Sequence, residues 1–351
     1  MSVIFKREDF TLCDVPVPKG YPQSQTHSGI ALWGEKYYLT TSPFPAYPEK
    51  RWKGYAKSIV NKFISKKIFK PLRAEAYENP CLYIAKQDSQ TPPVQFKLMQ
   101  EHPLMECPDD YYGLPAFNSD PDIYAEEGKL YILNRPVYRT KLCPGEPLNK
   151  YENRIYLISG EIDGKRFKLE KILRLFSLET RLLCSPCFLK YKESYRLLEL
   201  ETNSYNDGRT FDGIYVLSSQ TCEGLKDNEN WQKIGINNSD YLPWHMSVFQ
   251  YQNRLYAIIA CVKKGEGHRC WQMFGDFDED LTSLTIYNTP LTDYKSYRGA
   301  ACVTPEGEFV LYSTTVHEQI KGSKAVDGRD VIMAHMPFKQ LLETLRKNEY
   351  E

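Results

Sequence analysis

Five positions recur at one register along the chain: His27, Asp120, Ser185, His245 and Gly299. Brought to one place, the first four set a carboxylate and a hydroxyl beside two imidazoles. Such a set can hydrogen-bond the hydroxyls of a ligand or hold a central ion or water. Two histidines and an aspartate can also ligate a metal, but no ligand spacing marks one here, so neither a metal nor a cofactor is assigned. Arg135, Tyr138, Arg298 and His317 fall on neighbouring connections. With Lys263 and Lys264 the two arginines would suit an anionic group. Glu201, at the end of a predicted strand, is the nearest second carboxylate, and Asp207 follows it.

The elements that must position these residues form a repeat. Each copy begins at one of the five positions, continues as an apolar-alternating strand, reverses at a polar turn and returns as an aromatic and aliphatic strand. The copies start at His27, Asp120, Ser185, His245 and Gly299 and align without gaps, so Tyr38, Tyr131, Arg196, Tyr256 and Val310 each fall eleven residues on. A third apolar strand follows each copy, at Cys81, Arg154, Gly213, Cys270 and Val331, and a fourth is less distinct. Five four-stranded units filling one chain predict a single all-β domain over 1–351, a five-bladed β-propeller with four-stranded antiparallel blades. Residues 1–12, through Val3-Ile4-Phe5, are expected to supply a strand that closes the last blade. In a propeller the first strand leaves the axis and the second returns, so the five positions and the loops between second and third strands share one face.

Two helices are predicted. Phe338 opens a short C-terminal one. An insertion at 48–75 in the first unit carries the other, a basic amphipathic helix over 51–70. It has three readings: packed over the propeller, a lid at its mouth, or a helix lying on an anionic membrane surface.

Charge excludes some partners. Acidic and basic residues balance at 45 each, so no global field favours nucleic acid. No apolar stretch is long enough to span a bilayer and no secretory signal is seen. With ten scattered cysteines, that predicts a cytoplasmic protein with reduced thiols. Cys184-Ser-Pro-Cys187 has metal-site spacing but no partner pair, and reads as buried strand cysteines.

The run Asp120-Pro121-Asp122-Ile123 followed by Gly128-Lys129-Leu130-Tyr131 resembles the inner-strand motif of family 43 glycoside hydrolases. Phe211-Asp-Gly-Ile-Tyr-Val-Leu-Ser-Ser219 resembles the third-strand pattern of the same five-bladed group. The resemblance implies a general base, an orienting aspartate that tunes pKa, and a glutamate acid, each from a different blade, because one carboxyl must protonate the leaving oxygen while another activates water. On this chain Asp120 is the candidate base or orienting aspartate and Glu201 the candidate acid. His27 and His245 stand where the family pattern offers more acid, and with Ser185, Arg135, Tyr138, Arg298 and His317 they become candidate substrate contacts. The expected function is therefore a carbohydrate-active protein of glycoside hydrolase type, taking an oligosaccharide or anionic sugar in an axial pocket. A non-catalytic glycan-binding propeller, with Trp244 or Tyr138 stacking at the mouth, and a protein-interaction platform stand as alternatives.

Overall fold

A computed structural model of the chain describes residues 3–18, 24–43, 56, 60, 78–86, 91–99, 104–105, 117–139, 151–178, 182–202, 211–238, 240–264, 270–294, 296–315, 322 and 329–349. Twenty strands and one α-helix lie within them. In chain order they are β1 (Thr11–Leu12), β2 (Gln25–Trp33), β3 (Lys36–Pro43), β4 (Cys81–Lys86), β5 (Lys97–Leu98), β6 (Phe117–Glu126), β7 (Lys129–Arg139), β8 (Tyr151–Asp163), β9 (Arg166–Leu178) and β10 (Leu182–Tyr191). There follow β11 (Ser194–Thr202), β12 (Phe211–Ser219), β13 (Gln232–Ile236), β14 (Tyr241–Tyr251), β15 (Arg254–Lys263), β16 (Cys270–Phe277), β17 (Ser283–Ile286), β18 (Ala300–Val303), β19 (Glu308–Thr314), β20 (Val331–Pro337) and α1 (Phe338–Glu349).

The strands assemble as propeller sheets. β2 to β5 form one four-stranded sheet and β6 to β9 a second, while β18, β19, β20 and β1 form a third. The fourth has eight strands, but it is two antiparallel halves, β10 to β13 and β14 to β17, joined only where β13 runs parallel to β17. The predicted third strands are β4, β8, β12, β16 and β20. The insertion around 51–70 lies outside the described residues except for Ala56 and Val60.

Residues 1–12 supply the strand that completes the last sheet, as expected: it is Thr11–Leu12, which pairs with Ile332 and Met333, and not the Val3-Ile4-Phe5 run within the same stretch. Phe5 makes only a parallel bridge with Thr292, because its ring is drawn into a core with Phe309 and Phe10. The gap-free register holds for four copies. There the hairpins close at Trp33–Lys36, Glu126–Lys129, Tyr191–Ser194 and Tyr251–Arg254. In the fifth, Val303 pairs with Phe309 across a longer turn and Cys302 faces Val310. The pairing is thus one residue out of step, which brings Arg298 rather than Gly299 to the ring.

Packing is between sheets. The central strands show nearly continuous burial, not alternation, because each sheet is covered on both faces. Tyr38, Leu82 and Ile132 pack the first sheet on the second; Leu133, Phe188 and Leu197 pack the second on β10 to β12. Cys187, Met246 and Ile259 join the halves of the eight-stranded sheet, and Phe274, Phe309 and Leu341 join β16, β19 and α1. Tyr37, Tyr83 and Tyr312 pack the third sheet back on the first, which closes the ring. Among the described residues no helix is long and apolar enough to cross a membrane.

Candidate functional site

At the start of four of the five first strands the ladder breaks. β2 bulges between Thr26 and Gly29, β6 between Ser119 and Asp122, and β10 between Cys184 and Cys187. The residue thrown into each bulge is His27, Asp120 or Ser185, and all three take left-handed backbone, with φ of 55°, 52° and 49°. A non-glycine residue there costs about 1–2 kcal/mol, and the fold holds three at one level. In β14 the bulge falls between Pro243 and His245. A bulge re-aims a side chain, and these four turn theirs toward one point.

Asp120 is the centre of the cluster and is fully buried. Its Oδ2 accepts from Arg135 Nη2 at 2.6 Å and Nε at 3.0 Å and from the Ser185 backbone N–H at 3.2 Å. Its Oδ1 lies 2.8 Å from His27 Nδ1 and 3.3 Å from His245 Nδ1. Ser185 Oγ shares a 2.8 Å hydrogen bond with His245 Nδ1. Burial alone would raise the Asp120 pKa, but Arg135 and the two imidazoles outweigh it and hold the carboxyl well below the usual carboxylate range. Burial also drives the His245 pKa down to about 4 against the pull of Asp120, so His245 is neutral at pH 7.

Sequence reasoning missed two members of this site. Glu78 Oε2 stands 3.7 Å from His27 Nε2, on the connection before β4, where no spacing singles it out. Tyr297 lays its ring against both histidines, 5.0 Å from His27 and 4.6 Å from His245 between centroids. It lies two residues before Gly299, and only the one-residue offset of the fifth copy could have drawn attention to it.

Beneath this cluster lies a second one. Asp122 accepts from Arg298 Nη2 at 3.1 Å and from Ser247 Oγ at 3.3 Å. Burial raises its pKa to about 6 despite Arg298.

The remaining expected site residues divide. Glu201 is half-buried on β11 and faces Leu183, two residues before Ser185, so its backbone lies at the same end of the sheet as the cluster. Tyr138 is buried, with the Arg154 guanidinium 4.2 Å over its ring. Trp244 packs edge-on to His245. His317 lies outside the described residues, as does Asp207. Arg135 and Arg298 are not free cations awaiting an anionic ligand: each is buried and paired with an aspartate. Cys184 and Cys187 are buried free thiols, and burial pushes the Cys184 thiol up to about 12, which fits the packing role.

No family model and no curated protein matches the chain. Solved structures do. One is an N-acetylgalactosamine deacetylase from F. plautii in complex with blood group B trisaccharide, with a TM-score of 0.62 at 14% identity over 95% of this chain and 97% of that one. The GH43_1 enzyme from Xanthomonas citri matches with a TM-score of 0.53 at 11% identity, over 89% of this chain and 87% of that one. An endo-arabinase from Bacteroides thetaiotaomicron matches at 0.54 and 10% identity, over 93% of this chain and 97% of that one. The fold is therefore the propeller of the family 43-like glycoside hydrolases.

Proposed function

We propose that this chain is a carbohydrate-active enzyme of glycoside hydrolase type, built as five blades, that takes an oligosaccharide on the face where His27, Asp120, Ser185 and His245 meet. The observation that carries this reading is the convergence of three strained bulges on one ionised carboxylate. Strain of that kind persists where the surroundings over-determine it, and it clusters at sites that act. The likeness to a GH43_1 enzyme complexed with xylotriose, an endo-arabinase and an N-acetylgalactosamine deacetylase supports a sugar as the ligand.

In this reading Asp120 orients and does not shuttle protons. Both of its oxygens are engaged and its proton affinity is low, so its part is to fix the two imidazoles. The proton-carrying pair is Glu78, beside His27, and Glu201, at the end of the third unit. Hydrolysis needs an acid that protonates the leaving glycosidic oxygen and a base that activates water on the opposite face of the sugar ring. His27 couples Asp120 to Glu78, and Tyr297 forms an aromatic wall against which a sugar ring can stack.

The test is a panel of oligosaccharides and aryl glycosides assayed with the wild type and with Glu78→Gln, Glu201→Gln and Asp120→Asn. Turnover of one glycan that drops at least about 100-fold in Glu78→Gln, the usual contribution of a general acid or base, supports the reading. Binding without turnover transfers the chain to the glycan-binding alternative, and neither binding nor turnover ends the carbohydrate reading.

A further inference from the structure

We propose that the outer edge of β9, with the groove that leads into it, is a docking site for an extended acidic segment of another protein, which adds to the second sheet as a fifth strand. The inference does not depend on the sugar reading. β9 runs for 13 residues at the outside of its sheet. Among the described residues it is the one long outer strand without a neighbour: β1 and β5 have two residues each, and β13 and β17 pair with each other. The one main-chain bond it takes from outside its sheet, among the described residues, comes near its end, from the Asp227 N–H to the Leu175 carbonyl at 2.9 Å. The stretch before Leu175 is a template on which a further strand can pair.

Charge selects the occupant. Residues 165–174 carry five exposed cations, Lys165, Arg166, Lys168, Lys171 and Arg174, and one acid, Glu170, in a chain whose charges balance. Glu170 is already bonded to Lys129, and Lys171 to Glu223. A second copy pairing edge to edge would set these cations against one another, which disfavours this chain as its own partner. Carboxylates on an incoming strand meet them with the opposite sign. The strand also sets an alternation. Phe167, Leu169 and Ile172 pair with Ile162, Gly160 and Ile158, alternate positions of β8 that share one face. Phe167 packs on the core between the first two sheets, whereas Leu169 and Ile172 stay 48% and 42% exposed, so every second residue of an added strand finds apolar surface.

At Gly164 and Lys165 the edge meets a groove of about 600 Å3, lined also by Ile84, Pro93 and Val94 and by Lys36, Lys86 and Lys97. No carboxylate is among its lining residues, although Glu35 reaches Lys86 at 3.3 Å from outside it. Trp33, 40% exposed, lines the adjoining hollow with Lys36 and Lys86. A cationic trough continued by a strand edge suits an extended chain. A helix-like apolar face, which an anionic bilayer would engage, is not what these residues form.

The experiment titrates the full chain with a fluorescent peptide of alternating Glu and Val, about 12 residues long to span the edge, and follows anisotropy. The comparisons are the Lys–Val peptide, a peptide with the same Glu and Val segregated into two blocks, and phosphatidylglycerol vesicles. The expected result is saturable binding of the alternating acidic peptide at one equivalent, weakened by salt. Amide hydrogen exchange should then slow along 166–174 and at the residues lining the groove. The exposed double change Arg166→Glu, Lys168→Glu should weaken that peptide at least about 10-fold and admit the Lys–Val peptide. The wild type needs no substitution for the exchange reading, so the test stands even if the variant fails to fold. No binding of the acidic peptide overturns the proposal, as does equal affinity in the double variant or for the segregated peptide. Protection away from β9, self-association of the wild type through this edge, or capture by vesicles and not by peptide overturns it too.

Discussion

Arg298 reaches across the axis to Asp122: its Nη2 donates to the Asp122 carboxylate at 3.1 Å, its Nη1 to the Pro121 carbonyl at 2.5 Å and its Nε to the Met246 carbonyl at 3.1 Å. One side chain from the connection before β18 thus ties together β6 and β14, and it is almost fully buried. Truncating one partner of a buried ion pair leaves the other charged and desolvated, which costs about 3–5 kcal/mol. Arg298→Ala should lower the unfolding free energy by that amount, seen as a lower denaturant midpoint with little change in slope. Arg298→Lys should recover only part of it, because an ammonium cannot serve three acceptors in the guanidinium plane. The double variant Arg298→Met, Asp122→Leu should be more stable than Arg298→Ala, since it leaves no orphaned charge. If Arg298→Ala unfolds at the wild-type midpoint, the strut contributes nothing.

This strut also marks where the sequence was legible and where it was not. The four in-step copies show the hairpins because side-chain alternation and two-residue turns are local properties, and Glu126–Lys129 or Tyr191–Ser194 closes as expected. The ring of His27, Asp120, Ser185 and His245 follows from that register. What the pattern hides is which residue fills the fifth place. A one-residue offset in β18 and β19 exchanges Gly299 for Arg298, and a long side chain then satisfies backbone carbonyls that no sequence pattern announces. Glu78 was illegible for a related reason: it belongs to a connection, where contacts depend on the whole fold. Val3-Ile4-Phe5 misled because an apolar run reads as a strand whether it pairs with a sheet or buries an aromatic ring between others. Glu201 remains a candidate at the expected end of β11.

The bulge geometry yields a stability test at Ser185. Both Ser185→Ala and Ser185→Gly remove the hydroxyl that bonds His245, so the loss of that bond is common to them. Only alanine keeps a Cβ at φ 49°. Ser185→Gly should therefore be more stable than Ser185→Ala by about 1 kcal/mol, measured as a difference in urea midpoints. Equal stabilities, or a more stable alanine variant, would show that the left-handed backbone is not strained.

The cysteines give a second handle. Cys184, Cys187 and Cys261 are buried, and burial raises all three thiols. Cys222 is half-buried, with its thiol raised only to about 11. Since the thiolate is the reacting species, native protein treated with iodoacetamide near pH 8 should label Cys222 well before Cys184 or Cys187, as read by peptide mass spectrometry. Cys184 and Cys187 should label together and only as the protein unfolds. Fast labelling of either in folded protein would mean that the β10 strand opens locally, and it would revive a reactive role for the Cys-Ser-Pro-Cys run.

Gly29 and Gly34 separate backbone freedom from close approach within one hairpin. A Cβ at Gly29 would stand 2.7 Å from Thr40 Oγ1, 3.2 Å from the Cα of Asp122 and 3.2 Å from the carbonyl oxygen of Pro121. Two of those three contacts are backbone of the neighbouring sheet, from the two residues that follow Asp120. Gly29→Ala must push β2 away from β6, which costs about 1–3 kcal/mol in overpacking and spreads the imidazole from the carboxylate. Gly34 has φ 60° and open space around it, so Gly34→Ala costs about 1 kcal/mol through its backbone alone. The two variants should thus lose comparable stability while differing at the site. Gly29→Ala weakens any glycan turnover, and Gly34→Ala leaves it at the wild-type value. Thermal unfolding gives the first comparison and the glycan assay the second. Wild-type turnover in Gly29→Ala would show that the spacing of β2 and β6 does not set the site.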